Sequence, residues 1–193
     1  SLINHSALNA EENDYWYADI AEKEIDGMLF NGDVLVEARP RLTSANIPEG
    51  VTTIDRNAFY ECFDLTSVTI PESVTSIGCS AFSETGVIKD ESNWEDGVLY
   101  ISDCLIKARA EVTDAYSIKD GCRLIADNAF DDCDLLSSIT LPSSVTHIGS
   151  SAFSGCRQLS SITLPGSVTN IGQYAFSSCS GLTTINLPNS VMN

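Results

Sequence analysis

The seven cysteines carry the most reactive side chains of this sequence, and their spacing indicates a structural role. Four of them occupy one slot of a repeating pattern, namely Cys62, Cys133, Cys156 and Cys179. The sequence has no C-x-x-C pair and an odd cysteine total, which argues against a zinc site and against a complete disulfide framework. We therefore expect a ladder of buried, reduced thiols that behave as small apolar residues. Cys79, which follows an Ile-Gly turn, is the best candidate for an exposed thiol.

Histidines and paired carboxylates are the other candidates for catalysis. His147 has no acidic residue in its own repeat unit, so a Ser-His-Asp arrangement would need a carboxylate from another unit. Carboxylate pairs such as Glu11-Glu12 and Glu91 with Asp96 lie at loop slots, whereas a glycosidase holds two of them about 5–10 Å apart in a cleft. P-loop, G-x-G-x-x-G, H-E-x-x-H and G-x-S-x-G motifs are all missing from the sequence. We expect no enzyme activity, no catalytic residue and no cofactor.

Asp131, Asp132 and Asp134 form a dense acidic cluster. Carboxylate oxygens suit calcium, but the EF-hand loop pattern is absent. A calcium site and a solvated acidic surface both remain open, and the sequence favours the second. We predict no metal site.

Charge is distributed very unevenly along the chain. The sequence has 27 acidic and 10 basic residues, a net charge of −17. Residues 1–135 hold all 27 acidic residues and nine basic ones, a net of −18, and residues 136–193 hold only Arg157. This balance argues against nucleic-acid binding and against docking on an anionic membrane. The longest apolar run is also too short for membrane insertion, and we expect a chain from which a signal peptide has been removed.

A 23-residue repeat must position all of these side chains. Ala-Phe pairs occur at 58–59, 81–82, 129–130, 152–153 and 175–176, and prolines recur in step at 48, 71, 142, 165 and 188. The unit reads L-x-x-I-x-[IL]-P-x-x-V-x-x-I-G-x-x-A-F-x-x-C-x-x. A fixed period of this length indicates a solenoid, in which each unit buries its apolar side against its neighbours.

The repeat divides the chain into about seven coils of 23–25 residues with parallel strands. The coils are predicted at 42–64, 65–87, 88–112, 113–135, 136–158, 159–181 and, truncated, 182–193. The segment D-G-M-L-F at 26–30 matches D-G-V-L-Y at 96–100, so 17–41 and 88–112 are predicted to be irregular coils of one kind. The repeat domain is then 17–193, preceded by an N-terminal cap at 1–16 that uses the aromatic run 15–17.

Each regular coil predicts two strands and one turn. In the coil 65–87, the β-branched stretches 65–70 and 74–78 read as short strands. Pro71 ends the first strand because it cannot donate a ladder hydrogen bond. The S-x-A-F-x-x-C stretch is predicted to be a helical turn with the Phe inside. The expected fold is a β-dominated solenoid with short helical turns.

The unit L-T-S-V-T-I-P-E-S-V-T-S-I-G-C-S-A-F-S-E-T at 65–85 resembles the BspA-like, or Treponema-type, leucine-rich repeat. The resemblance covers 42–87 and 113–193 well and the two irregular coils loosely. It implies a leucine-rich-repeat solenoid of the kind found in secreted or surface-attached proteins of host-associated bacteria, several of which bind host proteins. It brings no catalytic residue. The resemblance therefore implies a non-enzymatic adhesin or host-interaction module, extracellular or at the cell surface.

In leucine-rich-repeat proteins, the sheet formed by the first strands is the concave face, and it supplies the candidate binding residues. They are Thr43, Asn46, Thr66, Thr69, Ser137, Thr140, Ser160, Thr163, Thr183 and Asn186. Two interpretations remain open: these rows recognise a protein or a glycan, or they only keep a β-surface soluble.

Aromatic residues offer a second kind of contact, because aromatic anchors are favoured at binding sites. The candidates are Trp16, Trp94 and Tyr100, although Trp94 and Tyr100 could instead fill space in the irregular coil. The expected partner is an extracellular protein or glycan, with a basic partner favoured for residues 1–135. The alternative function is a carbohydrate-binding or carbohydrate-processing surface protein that uses the acidic residues of 1–135. The chain is expected to be a monomer or a weak end-to-end dimer.

Overall fold

Parallel coils and antiparallel meanders alternate along residues 22–192, which are the residues described by the computed structural model. The strands are β1 (Glu22–Ile25), β2 (Met28–Asn31), β3 (Val34–Ala38), β4 (Ser44–Asn46), β5 (Thr53–Ile54), β6 (Ser67–Thr69), β7 (Ser76–Ile77), β8 (Trp94–Glu95), β9 (Val98–Ile101), β10 (Cys104–Ala108), β11 (Asp114–Ser117), β12 (Leu124–Ile125), β13 (Leu136–Thr140), β14 (His147–Ile148), β15 (Ser161–Thr163) and β16 (Asn170–Ile171). Helix α1 (Gly86–Lys89) and a 3-10 turn at Glu91–Asn93 are the helical elements of this part of the chain. The predicted cap at 1–16, with Trp16, lies outside the described residues.

The regular coils contain the two short strands that the repeat predicts. First strands pair in parallel as β4-β6 and as β11-β13-β15, and second strands pair as β5-β7 and as β12-β14-β16. Partners lie 23 residues apart, as in Ser44 with Ser67 and Ser138 with Ser161. The predicted parallel solenoid is confirmed, with about six turns, five of which have a complete Ala-Phe turn.

The two irregular segments are antiparallel meanders, β1-β2-β3 and β8-β9-β10. The last strand of each meander pairs in parallel with the next coil, β3 with β5 and β10 with β12. The cause is the Asp-Gly pair, because Asp26, Gly27, Asp96 and Gly97 all have positive φ, between 48° and 81°. Two successive positive-φ residues form the tight hairpin turn that Asp-Gly favours. We call residues 22–87 the first block and residues 94–192 the second block.

The Ala-Phe turns are not helical, contrary to the prediction. In the first regular coil, Ala58 N–H bonds Asp55 O and Tyr60 N–H bonds Asn57 O, both as single turns. Asn57 and Glu61 are left-handed, with φ of 60° and 62°, and a left-handed residue cannot continue a right-handed helix. The same two slots are left-handed in the other coils, at Ser80 and Glu84, Asn128 and Asp132, Ser151 and Gly155, and Tyr174 and Ser178.

These turns form a third inter-coil ladder. Phe59 N–H donates to Ala81 O at 2.8 Å, Phe130 N–H to Ala152 O at 2.7 Å, and Phe153 N–H to Ala175 O at 2.8 Å. The backbone groups of these turns form hydrogen bonds with the next coil. A helical turn would instead form its backbone hydrogen bonds within itself.

Below this ladder, the phenylalanine rings stack. Ring centroids are 5.2 Å apart for Phe59 and Phe82, 5.1 Å for Phe130 and Phe153, and 5.4 Å for Phe153 and Phe176. The planes of these pairs differ by only 2–14°. The stack thus has two parts, Phe59 with Phe82 in the first block and Phe130, Phe153 and Phe176 in the second.

The glycine of the Ile-Gly pair is required by the close approach of two coils. A Cβ on Gly78, Gly149 or Gly172 would lie 2.3–2.5 Å from a backbone nitrogen of the preceding coil. The first coil of each block follows a meander rather than a coil, and there Asp55 and Ala126 replace the glycine. The replacement of this glycine therefore identifies the first coil of each block.

Strands β9 and β10 lie between the two blocks, and each of their two faces packs against one block. Tyr100 and Leu105 point into the core of the second block, whereas Leu99 and Cys104 belong to the core of the first. All four positions of β9 are buried. A continuous apolar run of this kind is typical of a strand covered on two sides.

The side chain of Arg123 forms hydrogen bonds with both blocks at the same junction. It occupies a slot that holds Thr75 and Thr146 in other coils, and its side chain is 15% exposed. Its guanidinium donates to the Asp103 carboxylate at 2.7 Å and to the carbonyls of Pro71 and Val74 in the first block. A planar group with several fixed donors suits this three-way contact.

We expect the substitution Phe153→Ala to lower the free energy of unfolding by about 3–5 kcal/mol, because it opens a cavity in the stack. Equilibrium denaturation measures the loss. Tyr174→Ala is the control, since Tyr174 is 74% exposed, and it should unfold like the parent protein. A Phe153→Ala variant that unfolds at the parental midpoint would contradict the core stack.

Gly149→Ala should cost about 1–3 kcal/mol, since the added methyl group overlaps backbone atoms of the preceding coil. Gly166→Ala is a matched control, because nothing lies within 4 Å of a Cβ at that position. Thermal unfolding of the two variants should separate them, with only Gly149→Ala shifted downward. Equal stabilities would show that the coils can move apart at no cost.

Candidate binding surface

Many of the repeated hydroxyls bond the neighbouring coil. In the first-strand sheets, Ser137 Oγ donates to Asp114 O at 2.9 Å, and Ser160 Oγ donates to Ser137 O at 3.1 Å. Serines and threonines beside the second strands donate in the same way to carbonyls 22 or 23 residues earlier, as in Ser73, Ser144, Ser167, Ser190, Thr75, Thr146 and Thr169. The sequence suggested recognition or solubility for these rows, and hydrogen bonding between coils is a further role.

A second row of polar side chains faces solvent and is not used in this way. Its members are Asn46, Thr69, Ser117, Thr140 and Thr163, which we call the open row. Parallel pairing aligns Asn46 with Thr69, and Ser117 with Thr140 and Thr163. All five are exposed, and their side chains make no hydrogen bond with other described residues. Sequence reasoning missed Ser117 because its unit lacks the Leu-Thr-Ser frame, although strand alternation would have found it.

The open row is divided into two patches. Asn46 and Thr69 lie in the sheet β4-β6, and the other three residues lie in the sheet β11-β13-β15. The expected continuous rows are interrupted because the segment 88–112 supplies no first strand, and α1 and the 3-10 turn lie there in the chain.

Of the other predicted binding residues, one forms a hydrogen bond with the neighbouring coil and three are exposed. Thr66 Oγ1 donates to Thr43 O at 3.4 Å, so Thr66 belongs with the bonded hydroxyls. Thr43 is exposed next to it. Thr183 and Asn186 are also exposed, but residues 182–192 form no strand that would hold them in register.

Tyr100 is not a surface anchor. Its ring is buried, with 8% exposure, and its hydroxyl shares a hydrogen bond of 3.0 Å with that of Tyr116. Burial raises the pKa of Tyr100 well above its usual value. The space-filling alternative holds for this residue.

Trp94 is half-buried and tied into the meander. Its indole N–H donates to Ile88 O at 2.9 Å, and the guanidinium of Arg109 lies 4.2 Å from the ring centroid. Among the described residues, the large exposed aromatics are instead Tyr60, Phe63 and Tyr174, with exposed fractions of 48%, 53% and 74%. They occupy turn slots that hold small or polar residues in other coils, which is the signal that would have found them.

The candidate carboxylate Glu91 and the carboxylate of Glu24 are each held in an ion pair with an arginine. Glu24 accepts two hydrogen bonds from Arg39, at 2.7 and 2.8 Å, and this contact lowers the pKa of Glu24. Glu91 accepts two from Arg109 at 2.7 and 2.8 Å. A general acid needs the opposite environment, one that keeps the carboxyl protonated near neutral pH.

The surroundings of the acidic cluster and of His147 do not resemble a metal site or a catalytic site. Asp134 pairs with Arg157 at 3.4 Å. Between residues 22 and 192, no group of three or more His, Cys, Asp or Glu side chains is placed to hold a metal ion. His147 Nδ1 lies 2.8 Å from the hydroxyl of Thr146, and burial and the charge of Arg123 lower the pKa of His147.

The repeated cysteines donate weak hydrogen bonds to the preceding coil. Cys156 Sγ lies 3.2 Å from Phe130 O, and Cys179 Sγ lies 3.0 Å from Phe153 O. Burial raises the pKa of Cys62 to about 11 and that of Cys133 to about 12. A thiol with a raised pKa is unreactive at neutral pH, because the thiolate is the nucleophile. The predicted burial is confirmed for the four cysteines of the repeat slot. Cys104 and Cys122 are buried as well, and Cys79 is partly exposed.

A polar cleft of about 320 Å³ lies at the junction of the blocks. It opens because the meander 94–108 has no Ala-Phe turn, so the third ladder stops after the turn that contains Phe82. Its walls include Cys79, Lys107 and Asp127. Burial raises the pKa of Asp127.

A family model described as the BspA type leucine rich repeat region matches residues 37–107 and 109–193, with six copies. The chain belongs to the BspA-type leucine-rich-repeat family. Leucine-rich repeats are typically protein-interaction modules. A search of curated proteins gives no match to this BspA-type chain.

Two solved structures of bacterial proteins share this fold with TM-scores above 0.5. A leucine-rich cell surface protein of Faecalibacterium prausnitzii is 30% identical, with a TM-score of 0.52 over 78% of this chain and 48% of its own. The pneumococcal vaccine antigen PcpA is 22% identical, with a TM-score of 0.52 over 78% and 46%. A Treponema pallidum leucine-rich-repeat protein is 26% identical, with a TM-score of 0.36 over 88% and 69%.

The BspA-type chain spans about half the length of the first two neighbours, 48% and 46%. No helix within residues 22–192 has the length and apolar character that crossing a bilayer requires.

Thiol titration of the native BspA-type protein should modify Cys79 rapidly and the six buried cysteines slowly. The physical reason is that burial both excludes the reagent and suppresses the thiolate. Mass spectrometry after a short exposure to a maleimide locates the label, and Cys79→Ser should remove the fast phase. Rapid labelling of Cys133, Cys156 and Cys179 in the folded protein would contradict the ladder.

Proposed function

We propose that this BspA-type protein is a non-enzymatic recognition module, displayed at or outside the cell surface, that binds an extracellular protein through the open row. The observation that carries the proposal is the contrast between neighbouring rows. Ser137 and Ser160 are engaged between coils, whereas Thr140 and Thr163 on the same sheet are exposed and their side chains have no hydrogen-bond partner among residues 22–192. A surface location is supported by the description of the F. prausnitzii neighbour as a cell surface protein.

The rigidity of the scaffold suits recognition through many modest contacts. The open-row side chains stand on adjacent parallel strands, which are about 4.8 Å apart. The strands that carry them pair in parallel within the sheets β4-β6 and β11-β13-β15, and the open-row side chains are exposed to a partner. Because the ladders hold these side chains in place before binding, little ordering entropy is lost on association.

The two patches offer different electrostatic surroundings. Asn46 and Thr69 lie in the part of the chain with a net charge of −18, as does Ser117 at one edge of the second patch, whereas Thr140 and Thr163 lie beyond its end. We propose that the first patch favours a basic partner surface, since opposite charges accelerate encounter and exclude acidic competitors. The second patch then contributes hydrogen bonds with little dependence on salt.

The carbohydrate-processing alternative gains no support from the described carboxylates. Glu24 and Glu91 are engaged by Arg39 and Arg109, which is the arrangement of a structural ion pair. Several isolated surface carboxylates do not supply the acid and the nucleophile that glycoside hydrolysis needs.

The test uses a panel of immobilised host matrix proteins and glycans with the purified chain. For a partner found there, the double substitution Thr140→Lys and Thr163→Lys should weaken binding at least about tenfold, since two long side chains displace a docked surface. Ser177→Lys is the control, because Ser177 is equally exposed but lies on the turn side of a coil. Melting curves confirm that both variants are folded.

Two results would reject the proposal. If the double variant and Ser177→Lys bind the partner as tightly as the parent, the open row is not the binding surface. If no protein or glycan binds while a polymer substrate is turned over, the enzyme alternative replaces recognition.

A further inference from the structure

The cleft at the junction of the blocks interrupts a regular set of hydrogen bonds. At each contact between two regular coils, three backbone N–H groups of one Ala-Phe turn donate to three carbonyls of the next turn. In the first block, the donors are the N–H groups of Asn57, Phe59 and Glu61. The equivalent N–H groups of the following coil have no acceptor among residues 22–192, and they belong to Ser80, Phe82 and Glu84.

Two of these three residues, Ser80 and Phe82, line the cleft itself. Phe82 is only 1% exposed. A buried backbone N–H group without an acceptor is rare in native proteins, because its removal from water without a new hydrogen bond costs free energy. The wall formed by the coil 65–87 therefore offers hydrogen-bond donors to a group that enters the cleft.

The opposite wall offers acceptors at the matching positions. In the coil 113–135, the carbonyls of Asp127, Ala129 and Asp131 correspond to those that accept ladder bonds in other coils. Ala129 O accepts a hydrogen bond from Ala108 N–H at 2.6 Å, whereas the carbonyls of Asp127 and Asp131 have no donor in the described part of the chain. Asp127 and Asp131 also line the cleft. One wall thus has unused donors and the other has unused acceptors, a combination that the main chain of a peptide complements.

The two walls meet at one end of the cleft and separate toward the Ala-Phe turns. At the closed end, Asp127 N–H donates to Ile77 O at 3.0 Å. The space beyond has a volume of about 320 Å³, which is at the lower end of the volumes typical of ligand pockets. This size suits a short peptide segment with small side chains and excludes a folded surface.

The charges of the lining favour a basic segment. The charged residues of the lining are one lysine, Lys107, and two aspartates, Asp127 and Asp131. Neither aspartate forms an ion pair with a basic side chain of residues 22–192. Asp131 is exposed, so its carboxylate is accessible to a lysine or arginine of a bound segment.

We propose that this cleft binds a short peptide segment of another protein, which completes the interrupted turn ladder and presents a basic side chain to Asp131. Carbonyls of the segment accept hydrogen bonds from the N–H groups of Ser80 and Phe82, and its own N–H groups donate to the carbonyls of Asp127 and Asp131. Main-chain hydrogen bonds supply the affinity, and the size and charge of the cleft supply the selectivity. The site lies at the Ala-Phe turns and not on the first-strand sheets, so the inference does not depend on binding by the open row.

The test is an NMR titration with two pools of short, capped peptides of mixed sequence, one with a central lysine and the other with a central glutamate. The lysine pool should shift the amide proton resonances of Ser80 and Phe82 downfield, because acceptors reach these amides. The amide of Phe153 is the internal control, since it already donates to Ala175 O, and its resonance should not move. The glutamate pool should produce the same shifts only at higher concentration.

Ser83→Tyr is the variant that blocks the cleft. Ser83 lines the cleft, and its slot holds Tyr60 in the first coil, so the fold accommodates a tyrosine there. Ser154→Tyr is the matched control, because Ser154 occupies the same slot outside the cleft. Ser83→Tyr should raise the titration midpoint of the lysine pool at least about tenfold, whereas Ser154→Tyr should bind like the parent. Melting curves confirm that both variants are folded.

Asp131→Lys tests the charge selectivity and should reverse the preference between the two pools. If neither pool moves the resonances of Ser80 and Phe82 at millimolar concentration, the cleft is not a peptide site. Equal effects of Ser83→Tyr and Ser154→Tyr, whether both variants bind or both fail, overturn the proposal. An unchanged preference in Asp131→Lys overturns the assignment of a basic segment.

Discussion

Hydrogen bonding between equivalent positions of successive coils is the constraint on which this structure depends. Because the ladders connect residues 23 apart, a coil with a different cross-section would break the bonds on both of its sides. Each slot therefore accepts only side chains that suit its neighbours above and below. Phe153 stacks between two other phenylalanines, and Gly149 is the residue that leaves room for the backbone of the coil before it. Serine hydroxyls and cysteine thiols close the remaining gaps by donating to carbonyls of the preceding coil.

The meanders show how the same chain interrupts this order without losing its core. A meander cannot continue the first-strand sheet or the Ala-Phe turns, so both stop at 88–112. The loss is offset by apolar residues on both faces of β9 and β10 and by Arg123, whose charge is neutralised by Asp103 and whose donors reach the first block. Such a junction is rich in groups that must all be satisfied together, since a buried guanidinium without its partners would destabilise the fold.

Periodicity predicted what the repeat determines and failed where geometry depends on a single residue. The strands, the phenylalanine stack and the thiol ladder follow from spacing alone, because equivalent residues meet equivalent neighbours. The turns were predicted as helical since the sequence S-x-A-F-x-x-C does not display the positive φ of residues such as Asn57. The meanders were missed although Asp96-Gly97 carried the hairpin signal. Tyr100 and Trp94 could not be distinguished from sequence, because the alternation that buries one and half-exposes the other belongs to the meander.

The same reasoning explains why the candidate face could be predicted only in part. A serine or threonine on a strand has the same composition whether its hydroxyl reaches a carbonyl of the neighbouring coil or points to solvent, and the difference depends on its position along the strand. Ser137 is the second residue of β13 and lies within reach of Asp114 O, whereas Thr140 ends that strand and is exposed. The scaffold thus uses one hydroxyl row to hold its coils together and leaves the next available. In the proposed function, variation in specificity belongs to the open row and to the charged surroundings of the two patches, since changes in the ladder would reduce stability.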